Sequence, residues 1–338
     1  MHCELIVPGL LPAGEALREA LAALRAPALE LLAARGRCNR RPAACPERWL
    51  AAAFSLGQAP LAAGALTVFG CGGDPGEACW LRADPVHLNA RREGLVLIPS
   101  EGFSLPAEEA GALVEALNRH FAPEFEIRAP QPERWCLRAA GEIALQAQAP
   151  IALAGADVDA NLPSGPAAPR WHAVLNEAQM LLHGHPVNAA RERRGEPAIN
   201  SVWFWGAGVM PAAVRGRWHS VSADDPVVLG LARAAGIRHR AVPESAGAWL
   251  ERAPEEGRHA IVLDALRAPR GLRDAPAWSA RLQSLESRWF APLLAALRSG
   301  RIGMLSVELP EAGIGFETIR ADLRRFWRRA RNLGAYEA

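Results

Sequence analysis

Short apolar, β-rich runs alternate along the chain with longer stretches whose apolar residues recur every three or four positions. The runs CELIV (3–7), ALTVF (65–69), GLVLI (94–98), RWCLR (134–138), INSVWFW (199–205), AIVLD (260–264) and GMLSVEL (303–309) read as strands. Stretches near 14–35, 47–55, 106–120, 170–183, 226–235, 278–298 and 317–331 read as helices. In LPAEEAGALVEALNRHF, Pro106 and the two glutamates suit a helix N-terminus, and Leu113, Leu117 and Phe121 keep helical spacing. Strands separated by helices predict an α/β fold with a mainly parallel sheet. NLPSGPAAP (161–169) and, more weakly, APQPE (129–133) interrupt the pattern and fit the edges of a subdomain inserted into a larger α/β core.

The 338 residues are 50% hydrophobic and 22% charged, enough to bury a large core in one elaborated domain or two modest ones. The net charge of +2 predicts no strong pull toward nucleic acid or membrane. Lysine is absent, so anion binding falls to arginine forks or backbone N–H groups. The closest cysteine pairs, Cys38 with Cys45 and Cys71 with Cys79, are too widely spaced for a zinc knuckle. The apolar run after Met1 is short for a signal peptide and has no basic segment before it. No stretch reaches the roughly 18 apolar residues of a spanning helix. The chain reads as a cytoplasmic protein with reduced thiols.

INSVWFWGAGVMP (199–211) invites a phosphate-loop reading, but it lacks the lysine of a P-loop and the third glycine of a dinucleotide fingerprint. Trp203 and Trp205, two apart on a strand, share a face and either pack in the core or wall a cleft. Gly206 and Gly208 allow a sharp turn or a close backbone approach. Asn176, Gln179 and His183 fall on one helix face, as a solvated stripe or as the polar wall of a cleft. After His185, a second helix beginning near Pro186 presents Asn188, Arg191, Arg193 and Arg194. Arg191, about one turn beyond Asn188, is the strongest anion contact among them. In WLRADPVHL (80–88), Asp84 and His87, with Arg82 beside them, either share a metal or an orienting hydrogen bond, or form an Asp-Pro turn with a satisfied histidine. Nothing nearby adds further ligands, so no metal site is assigned.

HPVNAARERRGEPAINSVWFWGAGVMP (185–211) resembles a segment of the archaeal-type cofactor-independent phosphoglycerate mutases of the alkaline phosphatase superfamily. The likeness continues through SVSADDPVVLGLARAAGIRHRAVPESAGAWL (220–250) and spans 176–264. NEAQMLLHGHPVN together with WLRADPVHL is similar, over most of the chain, to a proteobacterial family of RpfE-type regulatory and phosphoglycerate-mutase-like proteins. The resemblance implies an alkaline-phosphatase-like α/β core, its mainly parallel sheet sandwiched by helices, with an inserted α+β subdomain. Residues 1–80 and 190–338 would form the core and 81–189 the insertion.

The resemblance also implies two divalent metals held by Asp and His at strand ends, beside a transiently phosphorylated serine. Several of those positions depart from the pattern. Pro8 stands where the mutases carry Asp before Gly9, and Asp264 has no following histidine. Glu308-Leu309 replaces an Asp-His pair, no histidine follows His259, and no Ser or Thr follows Gly9 at the usual distance. The expectation is a degenerate, non-catalytic relative with a regulatory or binding role and no cofactor, taking a small anionic metabolite or a protein partner. Its ligand residues would be Arg82, Asn176, Gln179, Asn188, Arg191, Trp203 and Trp205. The alternative is an active phosphomutase or phosphate-ester hydrolase, binding Mn or Zn, with a site rebuilt from Asp84, His87, His183, His185 and Arg191.

Overall fold

The computed structural model describes residues 1–11, 14–57, 60–92, 94–252 and 256–336. Two compact units divide the chain, residues 1–57 with 213–338 and residues 58–212. The first unit opens with β1 (His2–Ile6), α1 (Glu15–Ala23), α2 (Pro27–Arg35), β2 (Arg37–Arg40) and α3 (Pro46–Ala53). The second holds α4 (Ala63–Gly70), β3 (Cys79–Arg91), β4 (Gly94–Pro99), α5 (Ala107–Phe121), β5 (Phe125–Gln131), β6 (Arg134–Ala139), α6 (Ala168–His183), α7 (Pro186–Arg193) and β7 (Ser201–Gly208). The first unit resumes with β8 (Ser220–Ser222), α8 (Pro226–Ala234), β9 (Arg238–Arg240), α9 (Ala246–Arg252) and β10 (Arg258–Val262). It closes with α10 (Arg267–Gly271), α11 (Ala275–Leu285), α12 (Ala291–Ser299), β11 (Met304–Leu309) and β12 (Ile314–Ile319).

The first unit is an α/β structure on a seven-stranded sheet, ordered β2-β12-β11-β1-β10-β8-β9. Its centre is parallel: β1 pairs with β10 and β11, β10 with β8, and β8 with β9. Near one edge β12 runs against the other strands, pairing antiparallel with both β11 and β2. Side chains alternate across this sheet as strand geometry requires. Cys3, Leu5, Val7, Leu305 and Val307 join an apolar core with Leu29, Trp249, Trp278, Phe290 and Leu293. Intervening positions carry Glu4, Ser306 and Glu308, which are also buried. One face is therefore oily and the other includes charges that must be paired.

The amino terminus of α2 is closed from a distance. Ala26 gives α2 no side-chain cap, but the Glu286 carboxylate accepts from the Ala28 N–H (2.7 Å) and the Leu29 N–H (3.3 Å). Glu286 opens a π turn, Glu286–Phe290, between α11 and α12, where periodicity alone predicts one unbroken helix.

The second unit is a five-stranded antiparallel sheet, β4-β3-β6-β5 with β7 on β3. Leu113, Leu117 and Phe121 of α5 and Trp171, Leu175 and Leu182 of α6 pack with Ile127, Leu137, Val202 and Phe204 of the sheet. Ala65 and Val68 of α4 pack instead with Trp80 and Cys136. A Cβ at Gly64 would lie 2.5 Å from the Leu81 backbone nitrogen, so glycine is what lets α4 approach the sheet. Because α4 and β7 both lie against β3, segments 58–80 and 190–212 go with this unit. The sequence-drawn insertion of 81–189 is narrower than the unit.

Four local expectations differ from the structure. ALTVF forms α4, not a strand: its alanine and glycine neighbours favour a helix buried nearly all round. The stretch 317–331 is not a helix, since β12 runs to Ile319 and a short turn at Asp322–Arg324 follows. WLRADPVHL is not a turn but the middle of β3. On one flank β6 stops at Arg82 and β4 begins at Val86, so Pro85 falls in a window without a neighbour on that side. INSVWFWGAG does not re-enter the large parallel sheet, because β7 pairs with β3 of the antiparallel one. Gly206 and Gly208 serve close approach: Cβ atoms there would lie 2.5 Å from Ala63 Cβ and 2.8 Å from Ala62 Cβ. Among the described residues, no helix is long and apolar enough to cross a membrane.

Candidate functional site

In open parallel sheets ligands gather beyond the carboxyl ends of the strands. Here those ends are neighbours, since the Val7 N–H donates to Glu308 O (2.9 Å) and the Leu263 N–H to Ile6 O (2.9 Å). Pro8, Asp264 and Glu308 therefore stand at adjacent strand ends. Gly9 turns the chain at φ +78, and a Cβ there would meet Leu266 O at 2.7 Å. Its N–H donates to Glu311 Oε1 (3.0 Å), and its carbonyl accepts from Trp278 Nε1 (2.9 Å). Arginines surround this edge. Arg41 faces Glu308 at 3.7 Å, Arg267 pairs with Glu47, and Arg270 donates to Leu11 O (2.8 Å) and lies 4.0 Å from Glu311. Burial pushes the Glu308 carboxyl above the ordinary range, against the pull of Arg41. At the next strand end, Asp225 caps α8 through the Val227 N–H (2.8 Å), and Asp224 accepts from the Val242 N–H (3.0 Å).

In the second unit, Arg82, Asp84 and Trp205 come together. Arg82 Nε and Nη2 donate to Asp84 Oδ1 at 2.9 and 2.5 Å, Nη1 donates to Thr67 Oγ1 (3.2 Å), and Trp205 Nε1 donates to Asp84 Oδ2 (2.7 Å). The guanidinium also lies over the Trp205 ring, 5.4 Å from its centroid. Burial pushes the Asp84 carboxyl up, with Arg82 and the Trp205 N–H opposing. Trp203 is buried and donates from Nε1 to Gln148 O (3.0 Å). Asn188 donates to Leu182 O and Ile199 O and accepts from the Ile199 N–H, welding α7 to the start of β7. Arg191 is 0% exposed, donating to Glu109 Oε2 (2.6 Å), Ser104 O (2.9 Å) and Pro197 O (2.8 Å).

The other sequence candidates have partners of their own or face solvent. His87 Nδ1 is 2.8 Å from Ala198 O, and His185 caps α7 by accepting from the Val187 N–H (3.2 Å). His183 and Asn176 are exposed on α6 and Gln179 is half-buried. Among the described residues, Asp84, His87, His183 and His185 form no group of three that could hold a metal. Thr67 and Glu109, which complete the two buried arginine networks, carry no signal in the sequence, because each comes from a distant segment.

The fold has a known counterpart. Superposition on the PH0037 protein from Pyrococcus horikoshii gives a TM-score of 0.55 at 13% identity, covering 94% of this chain and 87% of that one, which establishes a shared fold. The chain is 26% identical over 210 residues to the 2,3-bisphosphoglycerate-independent phosphoglycerate mutase of Methanosarcina mazei, covering 57% of this chain and 51% of that protein. The chain is similar to cofactor-independent phosphoglycerate mutases. A probable mutase of the same kind from Geobacter sulfurreducens is 31% identical over 71 residues, which are 21% of this chain and 18% of that protein. The chain spans about half the length, or less, of these curated relatives. No protein-family model matches it.

A two-metal centre of the kind the mutase resemblance implies can be tested against this donor set. Pro8 offers no side-chain oxygen, and Glu308 faces Arg41. Arg41, Arg267 and Arg270 each face a carboxylate at this edge, Glu308, Glu47 and Glu311, and a guanidinium there competes with a divalent cation for that oxygen. Among the described residues, no three His, Cys, Asp or Glu side chains gather closely enough to hold a metal. These residues do not fit the two-metal centre.

The amino ends of the same strands carry a second polar group. Glu4 pairs with Arg217 and with Arg258 Nε (2.7 Å), and accepts from Trp218 Nε1 (3.0 Å). Burial alone would raise its carboxyl, but the two guanidiniums and the indole N–H outweigh that and hold it below the ordinary range. His259 is 0% exposed. Its Nε2 donates to Glu256 O (2.8 Å), and its Nδ1 lies 2.8 Å from the Ser220 hydroxyl, which donates to it when the ring is neutral. Burial lowers its pKa, His219 and Arg238 add to that, and the Glu256 carbonyl opposes. The unfolded chain then binds the extra proton first. The stability due to neutral His259 is complete above the ordinary value of about 6.5 and is lost as pH falls below it. The melting temperature should drop more steeply between about pH 7.5 and about pH 5.5 in the parent chain than in His259→Gln. Equal slopes in the two proteins would remove His259 as the source.

Proposed function

We propose that this chain is a non-catalytic phosphoglycerate-mutase-like protein that binds a small anionic metabolite at the carboxyl edge of its parallel sheet, in a cytoplasmic regulatory role of the RpfE type. The observation that carries the reading is the exchange of metal donors for cations. Pro8 carries no ligand oxygen and no histidine follows Asp264, while Arg41, Arg267 and Arg270 bring guanidiniums to the same strand ends, each beside an acid (Glu308, Glu47 and Glu311) that an incoming anion would displace. Guanidiniums attract phosphate and carboxylate groups but cannot lower the pKa of a serine or water as a metal does. Such an edge holds an anion without activating a nucleophile against it.

Equilibrium dialysis against Mn2+ and melting curves with 3-phosphoglycerate as the probe test this reading. No stoichiometric Mn2+ should be retained, and the probe should raise the melting temperature equally with and without EDTA. Retention of two Mn2+ per chain would overturn the reading in favour of an enzyme. A melting temperature unmoved by the probe would leave a protein partner as the ligand.

A further inference from the structure

Residues 320–331, RADLRRFWRRAR, hold six arginines against one acid, Asp322, in a chain whose net charge is only +2. The charge is concentrated, and the whole-chain balance conceals it. The same stretch exposes Phe326 by 78% and Trp327 by 67%, and Ile319 just before it is also exposed. These two aromatics are not on a frayed end. Arg325 Nη1 donates to Arg35 O (3.1 Å), Arg328 Nη1 to Gly36 O (3.1 Å), and Arg35 Nη1 returns a bond to Leu323 O (2.6 Å). Beyond them Asn332 Nδ2 donates to Leu21 O (2.8 Å) and Leu24 O (3.1 Å), and Leu333 is buried. The strap is thus pinned on both sides of an outward-pointing Phe-Trp pair. It lies beside the start of β2, whose Arg37 is also exposed.

We propose that this strap docks onto an anionic phospholipid bilayer. Two features define the partner: dense guanidinium charge, with Asp322 already held by Arg325 at 2.8 Å, and a fixed pair of large apolar rings at the centre of it. Anionic headgroups complement the first, and the headgroup–acyl boundary accepts the second. Single-stranded nucleic acid also pairs with arginine and aromatic side chains, but it needs ring faces on which successive bases stack. Phe326 and Trp327 meet edge to face, at 82° and 5.3 Å, which covers one face and leaves no two parallel platforms. Insertion into a bilayer interface requires only that the rings project.

Co-sedimentation of the full chain with phosphatidylglycerol-containing and pure phosphatidylcholine vesicles tests the proposal. Binding to the anionic vesicles should exceed binding to neutral ones by about tenfold or more and fall away in about 0.5 M salt. Phe326→Ala/Trp327→Ala and Arg324→Glu/Arg329→Glu should each weaken it at least about tenfold with the melting temperature unchanged, since all four side chains are exposed. The proposal fails if the parent chain ignores anionic vesicles at low salt, or if both double variants bind like the parent. It fails equally if an oligothymidylate binds through these residues and displaces the vesicles, which would make the strap a nucleic-acid surface.

Discussion

Asp84→Ala should destabilise the protein by about 3–5 kcal/mol, read as a lower urea midpoint at unchanged slope. Removing the carboxylate takes from Arg82 the two charge-assisted hydrogen bonds from Nε and Nη2, inside the second unit, and it strips the Trp205 N–H of its acceptor. The side chains of Arg82 and Asp84 are 5% and 6% exposed, so water cannot take over. The cost comes from leaving a buried guanidinium without its counter-charge, more than from the lost attraction itself. The double change Arg82→Met/Asp84→Leu should therefore recover most of the loss. A single variant within about 1 kcal/mol of the parent would mean the pair is hydrated and the network is not closed.

Arg191→Ala comes next, at about 3 kcal/mol. Three nitrogens of this side chain satisfy Glu109, Ser104 O and Pro197 O, and its removal leaves those acceptors facing a hole of arginine size. Arg194 still reaches Glu109 at 2.6 Å, which keeps that carboxylate from being fully orphaned. Arg191→Lys should lose about 2 kcal/mol, because one ammonium cannot replace a fork that points three ways. An anion-binding role would give the opposite pattern, with ligand affinity lost and the melting temperature preserved. Urea denaturation of the two variants separates these outcomes.

Much of the fold was legible in the sequence. Periodicity located β1, β10, β11, α5 and α8 closely, because each buries a continuous face in its own register. What failed depended on partners far along the chain. ALTVF is apolar enough for either structure, and only its tight seat on β3 through Gly64 decides for a helix. The 317–331 stretch has helical composition, but pairing of β12 with β11 and β2 captures its first residues. The tryptophans of β7 were correctly read as sharing a strand face, yet their hydrogen-bond acceptors, Gln148 O and Asp84, are not local. At the carboxyl edge, Pro8 before Gly9 and the absence of histidine after His259 are visible in one dimension. The arginines there became apparent only when Arg41, Arg267 and Arg270 were brought to the same end of the sheet.

The central claim is that this edge binds anions and does not turn them over. Its most direct test is 31P NMR of 3-phosphoglycerate incubated with the full chain and added Mn2+. The account predicts a spectrum that stays that of the starting compound, with neither 2-phosphoglycerate nor inorganic phosphate formed. Accumulation of either product, dependent on Mn2+ and proportional to protein, would contradict it.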